Sequence, residues 1–490
     1  MLAFFASKAK SVQQIKNYPK NIFFIRQVLR IFRTFASYYY LKKGGDTTIQ
    51  KRMKKKVMVV LCASSALNYI EDIRNAGYEP VILEPSIPGV SPAEVRKTLE
   101  AEYVHIKGER PAIYAASANY EETLEMVRRI DPCCIIPGTD FGLELATCLA
   151  HDLGLPGNNP KRLPYLREKD KMQEAAKAAG LRSIHGKVVT TVEEGVAYFR
   201  EELKGKSAIV KPLRSAGSRG VVACLTEEEL CNAIADDIDM ARKEKAPFIG
   251  VLVQERIVGT EYFVNTVTMG GQTVVTNVVR YDKMKLTAER PVYVSAVSLQ
   301  PDDALCQILM DYVVKVVNAT GLEIGPTHTE VMVDEDGPVL IEVNARLAGA
   351  CQPAEWQDQV LGLHESDIAL RAYLGKDIHT DSYNNYKAIA SADGQYAYFL
   401  RKRPGYFHVG VNLHDFEAEE FIGKELIESL SSTFSYHGFE APRFYEATKD
   451  FFTAPGLVYL VNDSAEQLQR DHEMLIDVEM NHMDKLFKMK

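Results

Sequence analysis

The 490-residue chain contains 46% hydrophobic and 25% charged residues, the composition of a globular protein with material for several domains. Its formal net charge of −8 is uneven: residues 1–52 contain eleven Lys or Arg and one acidic residue, leaving 47 basic and 65 acidic residues beyond them. Because an acidic body repels phosphate backbones, we expect no nucleic-acid partner. The eight cysteines include no CxxC pair, which argues against a zinc ribbon or a disulfide framework and favours a cytoplasmic protein.

Residues 1–52 are predicted to be a basic, amphipathic N-terminal extension. Arg26, Arg30 and Arg33 recur at helical spacing among apolar residues in NIFFIRQVLRIFRTF. No run of about 18 uncharged apolar residues occurs there, so the predicted helix is too polar to span a bilayer. Three interpretations stay open: contact with a membrane surface, an organelle transit peptide, and upstream sequence before a true start at Met53.

Strand and helix patterns alternate over residues 53–160. Strands are predicted in VMVVLCAS, PVILEP and CCIIPGTD, and helices in ALNYIEDIRNAGY, YEETLEMVRRI and FGLELATCLAHDLG. This alternation predicts a small α/β domain with a parallel sheet. No GxGxxG follows the first strand, which argues against a dinucleotide site. The stretch 153–166, rich in Pro, Gly and Asn, marks the boundary with the next domain.

A lysine and a small-residue loop follow in SAIVKPLRSAGSRGVVACL, residues 207–225. The loop from Arg214 to Gly220 lacks bulky side chains and can offer backbone N–H groups to phosphates. Lys211 lies in an otherwise apolar strand, where an inward-pointing amine needs an anionic partner such as phosphate. The alternatives are a loop that only turns the chain and a lysine that faces outward at a strand end. The polar stretch RYDKMKLTAERPVY, residues 280–293, is a candidate substrate-facing loop.

The stretch HTEVMVDEDGPVLIEVNARLAGA is predicted to be a β-hairpin that turns at Asp336-Gly337 and sets Glu330 opposite Glu342. Alternation divides its residues between an apolar face, Val331, Val333, Val339, Ile341 and Val343, and a polar face, His328, Glu330, Glu342, Asn344 and Arg346. Facing carboxylates repel each other, so a positive group is expected between them. Their oxygens suit Mg²⁺. The alternative is a solvated face on which Arg346 bridges both glutamates.

Together, the Lys169 helix, the Lys211 strand with its loop, the VQERIVGTEYFV segment and this hairpin resemble the ATP-grasp superfamily of carboxylate-amine ligases. The chain looks most similar to the L-amino acid ligases that make dipeptides, over roughly residues 57–487. The resemblance implies an α/β fold: the parallel-sheet domain of residues 53–160, an ATP-grasp domain over residues 161–375 and a β-rich C-terminal lobe over residues 376–490. It also implies a homodimer.

The same resemblance assigns site residues. It makes Arg346 the catalytic residue that steadies the transferred phosphoryl group, and it makes Glu330, Glu342 and Asn344 the ligands of two Mg²⁺ ions, or of Mn²⁺ in their place. The implied ATP-binding residues are Lys169, Lys211, Ser215, Gly217, Ser218, Gly220, Gln254, Glu255, Ile257 and Glu261. Within this set the lysines hold phosphates, Gln254 to Ile257 contact adenine largely through backbone groups, and Glu261 binds the ribose. Gln254 departs from the glutamate of many relatives. His328 and Trp356 are expected to be structural.

The implied reaction phosphorylates a small-molecule carboxylate, expected to be an amino acid, and joins the acyl-phosphate to an amine, giving an amide or dipeptide, ADP and phosphate. Two alternatives stay open: a carboxylase or nucleotide-pathway ligase of the same superfamily, and a non-catalytic ATP-binding module.

Overall fold

The computed structural model describes residues 54–87, 90–214, 220–243, 248–286, 291–350, 352–379, 383, 385–391 and 394–490. The N-terminal extension, residues 1–52, therefore lies outside the described residues, as do the predicted loop residues Ser215, Gly217 and Ser218. Within the described ranges, no helix is both long enough and apolar enough to cross a membrane.

The strands of the described ranges, numbered along the chain, are β1 (Lys56–Val60), β2 (Glu79–Glu84), β3 (Ala112–Ala115), β4 (Pro132–Pro137), β5 (Gly186–Val189), β6 (Ala208–Pro212), β7 (Val222–Cys224), β8 (Val251–Glu255), β9 (Thr260–Met269), β10 (Gln272–Met284), β11 (Val292–Ser298), β12 (Ile324–Asp334), β13 (Gly337–Asn344), β14 (Tyr386–Ser391), β15 (Gly394–Phe399), β16 (Gly405–Val409), β17 (Phe416–Phe421), β18 (Thr433–His437), β19 (Arg443–Tyr445), β20 (Leu457–Val461) and β21 (Phe487–Met489).

The α-helices of the same ranges are α1 (Asn68–Asn75), α2 (Pro92–Tyr103), α3 (Tyr120–Ile130), α4 (Asp140–Leu153), α5 (Leu163–Arg167), α6 (Lys169–Ala178), α7 (Val192–Glu201), α8 (Glu227–Lys243), α9 (Ala304–Thr320), α10 (Ala354–Leu361), α11 (Glu365–Tyr373), α12 (Lys424–Ser429) and α13 (Ala465–Asn481).

The N-terminal sheet is parallel, with the strand order β3-β2-β1-β4. Alternate residues of β1 enter two cores on opposite faces, Val57 and Val59 on one and Met58 and Val60 on the other. This two-sided burial explains why the strand is almost wholly apolar. The sequence patterns above did not include α2 or β3. The signal for α2 is Ser91, whose side chain forms a capping box with Glu94.

A second, smaller sheet has the order β5-β8-β6-β7, and its strands pair antiparallel. Helices α7 and α8 pack on one side of it through an apolar core that includes Phe199, Leu230 and Ile234. This arrangement leaves the other side of the sheet available to a ligand.

The largest sheet has ten strands within the described ranges. Eight of them run in the order β13-β12-β9-β10-β11-β16-β20-β18, while β15 pairs with β10 and β14 pairs with β15. Helix α9 packs against strands β9, β10 and β13 of this sheet through Leu309, Met310 and Val313. Strands from both sides of residue 375 therefore share this sheet, and the domain limits expected from sequence stay predictions. A separate three-stranded sheet, β19-β17-β21, lies nearer the C-terminus. The predicted fold class, mixed α/β with a parallel N-terminal domain and a β-rich C-terminal part, is confirmed.

Candidate active site

One cavity of about 340 Å³ collects most of the sequence-predicted site residues. Its size falls within the range of small-molecule sites. Its polar lining comes from the hairpin, the small sheet, the start of α6 and β9 with β10: Lys169, Lys211, Gln254, Glu261, Lys283, His328, Glu330, Glu342 and Arg346.

The two glutamates face each other as the hairpin pattern predicted: Glu330 is the partner of Glu342 across β12 and β13. The register shifts immediately afterwards, so that Val331 pairs with Leu340 and Ile341 becomes the extra residue of a β-bulge. The prediction that Ile341 belongs to the apolar core face is therefore wrong. Ile341 lines the cavity beside Glu342, and Leu340 is buried in the core instead.

A lysine supplies the positive charge expected near the glutamates. Lys169 Nζ lies 2.9 Å from Glu342 Oε2, and Asn344 Nδ2 donates to Glu342 Oε1 over 3.1 Å. Burial alone would raise the pKa of Glu342, but Lys169 and Lys211 outweigh it and hold that pKa below its usual range. Burial and the charge of Glu342 raise the pKa of Glu330 instead. The two carboxylates are thus electrostatically unequal.

Lys211 points inward from β6 and is 4% exposed, so the outward-facing alternative does not hold. Burial, with the neighbouring charge of Lys169, lowers the pKa of its amine to about 8. A buried amine of this kind gains its full charge when an anion binds beside it. Gly220, at which the described chain resumes after the predicted phosphate loop, has a positive φ of 74°.

In the segment predicted to contact adenine, Gln254 and Ile257 line the cavity, whereas the side chain of Glu255 binds a backbone N–H. Gln254 is 3% exposed and lines the cavity, and its Oε1 has no hydrogen-bond partner among the described residues. Glu255 Oε1 instead accepts from the His185 backbone N–H over 2.9 Å. Ile257 lines the cavity. A buried hydrogen-bond acceptor without a partner costs free energy, so we expect a ligand to donate a hydrogen bond to Gln254 Oε1.

Glu261, the residue predicted to bind ribose, is buried in the cavity wall with two partners from the polar stretch 280–293. Lys283 forms an ion pair with it, and the Tyr293 hydroxyl donates to Glu261 Oε1 over 3.0 Å. Burial raises the pKa of Glu261 despite the nearby lysine. In the structure, residues 280–284 continue strand β10 and 292–293 begin β11, so this stretch faces the cavity from strand ends.

Arg346 does not bridge the glutamates. Its Nε donates to Asp140 Oδ2 over 2.6 Å and its Nη1 donates to the Leu347 carbonyl over 2.9 Å. Asp140 begins α4 of the parallel-sheet domain, so this ion pair joins that domain to the end of the hairpin. Arg346 nevertheless lines the same cavity as both glutamates.

A chain of buried polar side chains extends from Glu330 away from the cavity. Nε2 of His328 lies 3.2 Å from Glu330 Oε1, and its Nδ1 lies 2.9 Å from Asn265 Oδ1. Asn265 Nδ2 donates to Glu365 Oε2 over 3.3 Å. Burial, reinforced by Arg346, lowers the pKa of His328 to about 3, so its imidazole is neutral. These contacts fix the orientation of Glu330, a structural role for His328.

Residues 205–354 match the ATP-grasp domain family. Dapdiamide A synthase of Enterobacter agglomerans is 26% identical over 373 residues, which cover 74% of this chain and 82% of that protein. The crystal structure of L-amino acid ligase from Bacillus licheniformis aligns with a TM-score of 0.64 at 17% identity, covering 88% of this chain and 98% of that one. Together these matches indicate an ATP-dependent carboxylate-amine ligase.

The biotin carboxylase domain of a Hydrogenobacter thermophilus 2-oxoglutarate carboxylase, in a complex with MgADP, ADP and bicarbonate, shares the fold. It aligns with a TM-score of 0.59 at 15% identity and covers 90% of this chain and 91% of that one. ATP-grasp enzymes use ATP with Mg²⁺, and the ligases that this chain resembles act on small molecules.

Sequence reasoning missed several residues that line the cavity or contact its lining. Asp140, Asn265 and Glu365 act through contacts between segments far apart in the chain, and no local pattern marks them. Lys283 lies in the polar stretch already singled out, but no sequence feature distinguishes it there from Arg280 or Lys285. Trp356 packs against Tyr459 in the core, and its Nε1 donates to the Leu460 carbonyl. These contacts agree with the packing role expected for Trp356.

Proposed function

We propose that this ATP-grasp ligase phosphorylates the carboxylate of an amino acid and condenses the acyl-phosphate with an amine, giving an amide or dipeptide, ADP and phosphate. The observation that carries the proposal is the convergence of Glu330, Glu342, Lys169, Lys211 and Arg346 on one cavity. ATP and a carboxylate are both anionic, so their approach requires several cationic groups around the reacting oxygens.

The contacts support separate roles for the residues that are predicted to bind the nucleotide. The amines of Lys169 and Lys211 lie near Glu342 in a buried place, where triphosphate oxygens would accept from them. The unpartnered Oε1 of Gln254 is an acceptor suited to the 6-amino group of adenine. Glu261 would exchange its Lys283 and Tyr293 contacts for ribose hydroxyls. Closure of residues 215–220 over the phosphates stays a prediction, because residues 215–219 lie outside the described residues.

The donor set fits Mg²⁺. Glu330 and Glu342 face each other with Asn344 beside them, and in the part of the chain that the structure describes no cluster of three His, Cys, Asp or Glu side chains forms a metal site by itself. Mg²⁺ commonly binds through one or two carboxylates completed by substrate phosphates. When bound, two Mg²⁺ ions would neutralise charge on the triphosphate. Lys169 would then turn from Glu342 to a phosphate, and Arg346 would turn from Asp140 to the transferred group.

The test is a substrate panel. Purified protein with MgATP would receive amino acids singly and in pairs, with ADP release followed by a coupled assay and products by mass spectrometry. We expect ADP release that depends on an amino acid and a product whose mass is the sum of two substrates minus water. ADP release with bicarbonate alone would identify a carboxylase. MgATP binding without ADP release across the panel would overturn the proposal in favour of a non-catalytic module.

Three further expectations stay predictions. These are the homodimer, the cytoplasmic location, and the membrane-surface contact of residues 1–52, which lie outside the described residues.

A further inference from the structure

The cavity continues beyond the glutamates along the face of the ten-stranded sheet. Glu330 on β12 pairs with Phe263 on β9, whose ring lies 4.9 Å from that of Tyr281 on β10. Tyr281 pairs with Ala296 on β11, which pairs in turn with Phe407 on β16. Residues paired across a sheet share a face, so a continuous floor leads from the metal carboxylates to strands contributed by the C-terminal part of the chain.

The far end of this floor is apolar. Phe407 and Val409 are 5% and 3% exposed, and both line the cavity with Phe451, whose ring centroid is 6.3 Å from that of Phe407. Among the described residues, β11, β16 and the segment 348–352 contribute no charged side chain to the cavity lining. The charged lining residues come from the hairpin with its Arg346 end, α6, β6, β9 and β10.

Gly349, Ala350 and Gln352 form another part of the cavity wall, and two other segments of the chain hold their backbone. Ser65 Oγ donates to the Gly349 carbonyl and accepts from the Gln352 N–H, each over 3.1 Å. The Tyr459 hydroxyl donates to the Ala350 carbonyl over 2.5 Å. Ala350 has a φ of 70°, a strained conformation for a residue with a Cβ that surrounding contacts must maintain. The wall is therefore preorganised before any substrate binds.

We propose that this apolar end binds the side chain of the amino acid whose carboxylate is phosphorylated, and that it selects a large aliphatic or aromatic side chain. The inference rests on the proposed function. Arg346, residues 348–350 and Phe407 line the same cavity, so a carboxylate bound beside Arg346 shares that cavity with the apolar end. Burying a large apolar side chain there favours binding by on the order of 10- to 100-fold over glycine. A charged side chain would lose its hydration without gaining a partner.

The first experiment separates this inference from the proposed function by using two readouts. Equilibrium dialysis with a non-hydrolysable MgATP analogue would measure binding of phenylalanine, leucine and methionine against glycine, aspartate and lysine. Tandem mass spectrometry of products would then identify the N-terminal residue, which donates the carboxylate. We expect the apolar group to bind at least about 10-fold more tightly and to occupy the N-terminal position.

Each outcome has a separate meaning. Dipeptides with glycine, aspartate or lysine at the N-terminus, formed as efficiently as those with phenylalanine, would overturn the inference and leave the proposed function standing. Selective binding of phenylalanine without ADP release under any condition would overturn the proposed function. Binding without preference overturns the inference whatever the ADP assay gives.

The second experiment changes the size of the pocket by substituting a residue of its floor. Ala296→Leu adds a side chain to the floor at β11, and we expect the KM for phenylalanine to rise about 10-fold while those for alanine or valine change little. The KM for ATP should stay within two-fold of the wild-type value. A general loss of folding would change it more. Phe407→Ala should enlarge the pocket instead, so that a broader range of amino acid side chains is accepted. Phe444→Ala, at an exposed residue of β19, is the matched control. Equal effects of Ala296→Leu on all amino acids would overturn the inference.

Discussion

Lys169 Nζ lies 2.9 Å from Glu342 Oε2, so the positive charge predicted between the two glutamates is provided by an amine from a different element of the fold. The pair is almost buried, with side-chain exposures of 7% and 14%. A buried ion pair of this kind depends on both partners, because removing one leaves the other charge uncompensated. This balance makes Glu342 the most informative single position in the site.

Glu342→Gln should lower amino-acid-dependent ADP release by about 100-fold or more, because a neutral amide neither balances two lysines nor serves as a strong metal ligand. The measurement is the steady-state rate at saturating MgATP. Glu335→Gln, at an exposed position in the turn of the same hairpin, is the matched control and should keep the wild-type rate. Equal rates in the two variants would remove the case for a metal site at the hairpin.

Lys211 predicts a pH dependence of ATP affinity. Burial lowers the pKa of its amine to about 8, so in the free protein the amine is charged at pH 7 and largely neutral at pH 9. ATP affinity should therefore fall as pH rises through 8. Lys211→Met should weaken ATP binding about 10- to 100-fold at pH 7 and remove this component of the pH dependence. Isothermal titration from pH 6.5 to 9.5 would measure both, with the exposed Lys206→Met as control. The same pH slope in Lys211→Met would assign the effect to another group.

Gly259 connects β8 to β9 under the tip of the hairpin, and it has no space for a side chain. A Cβ at this position would lie 2.1 Å from the Val333 carbonyl oxygen, a backbone atom. Gly259→Ala should cost about 2 kcal/mol of stability and raise the KM for ATP, because the displaced segment carries Ile257. Thermal unfolding and ATP titration would test this. The adjacent Val258→Ala, at a residue that is 67% exposed, should be close to wild type in both.

We expect the contact that His364 makes between the N-terminal domain and α10 to weaken at high pH. Its Nε2 lies 2.9 Å from Asp72 Oδ1 and its Nδ1 lies 2.8 Å from Asp358 Oδ1. Burial opposes the charge, but the two carboxylates raise the pKa of His364 to about 10. A pKa raised on folding stabilises the protein fully below the unfolded value of about 6.5, and the stabilisation is lost as pH rises towards 10.

His364→Asn should therefore lower the melting temperature most at pH 6, where the lost contacts are worth about 2 kcal/mol, and least at pH 10. Differential scanning calorimetry at both pH values would measure the difference. His414→Asn, at an exposed histidine, provides the control for histidine removal. A deficit that grew towards pH 10 would contradict the charge state assigned to His364.

Local sequence patterns predicted contacts between neighbouring strands of one hairpin. They did not predict contacts between segments that lie far apart in the chain. The Glu330–Glu342 pairing followed from turn chemistry and alternation alone, whereas Ile341 was misplaced because a bulge inserts one residue without a mark in the hydrophobic pattern. The Arg346–Asp140 ion pair and the Phe407 floor join residues from different lobes, and single-chain periodicity holds no information on such contacts. The implied roles of the site residues stay predictions.

Because strands β12 and β13, which carry Glu330 and Glu342, and strand β16, which carries Phe407, belong to one hydrogen-bonded sheet, the parts of the chain before and after residue 375 are not exchangeable modules. A chimera that replaced everything after residue 375 with the equivalent segment of a relative would place a foreign strand beside β11 and disrupt the hydrogen bonds between them. Redirecting such an enzyme to a new amino acid therefore calls for side-chain grafts on β11 and β16, with the host scaffold retained.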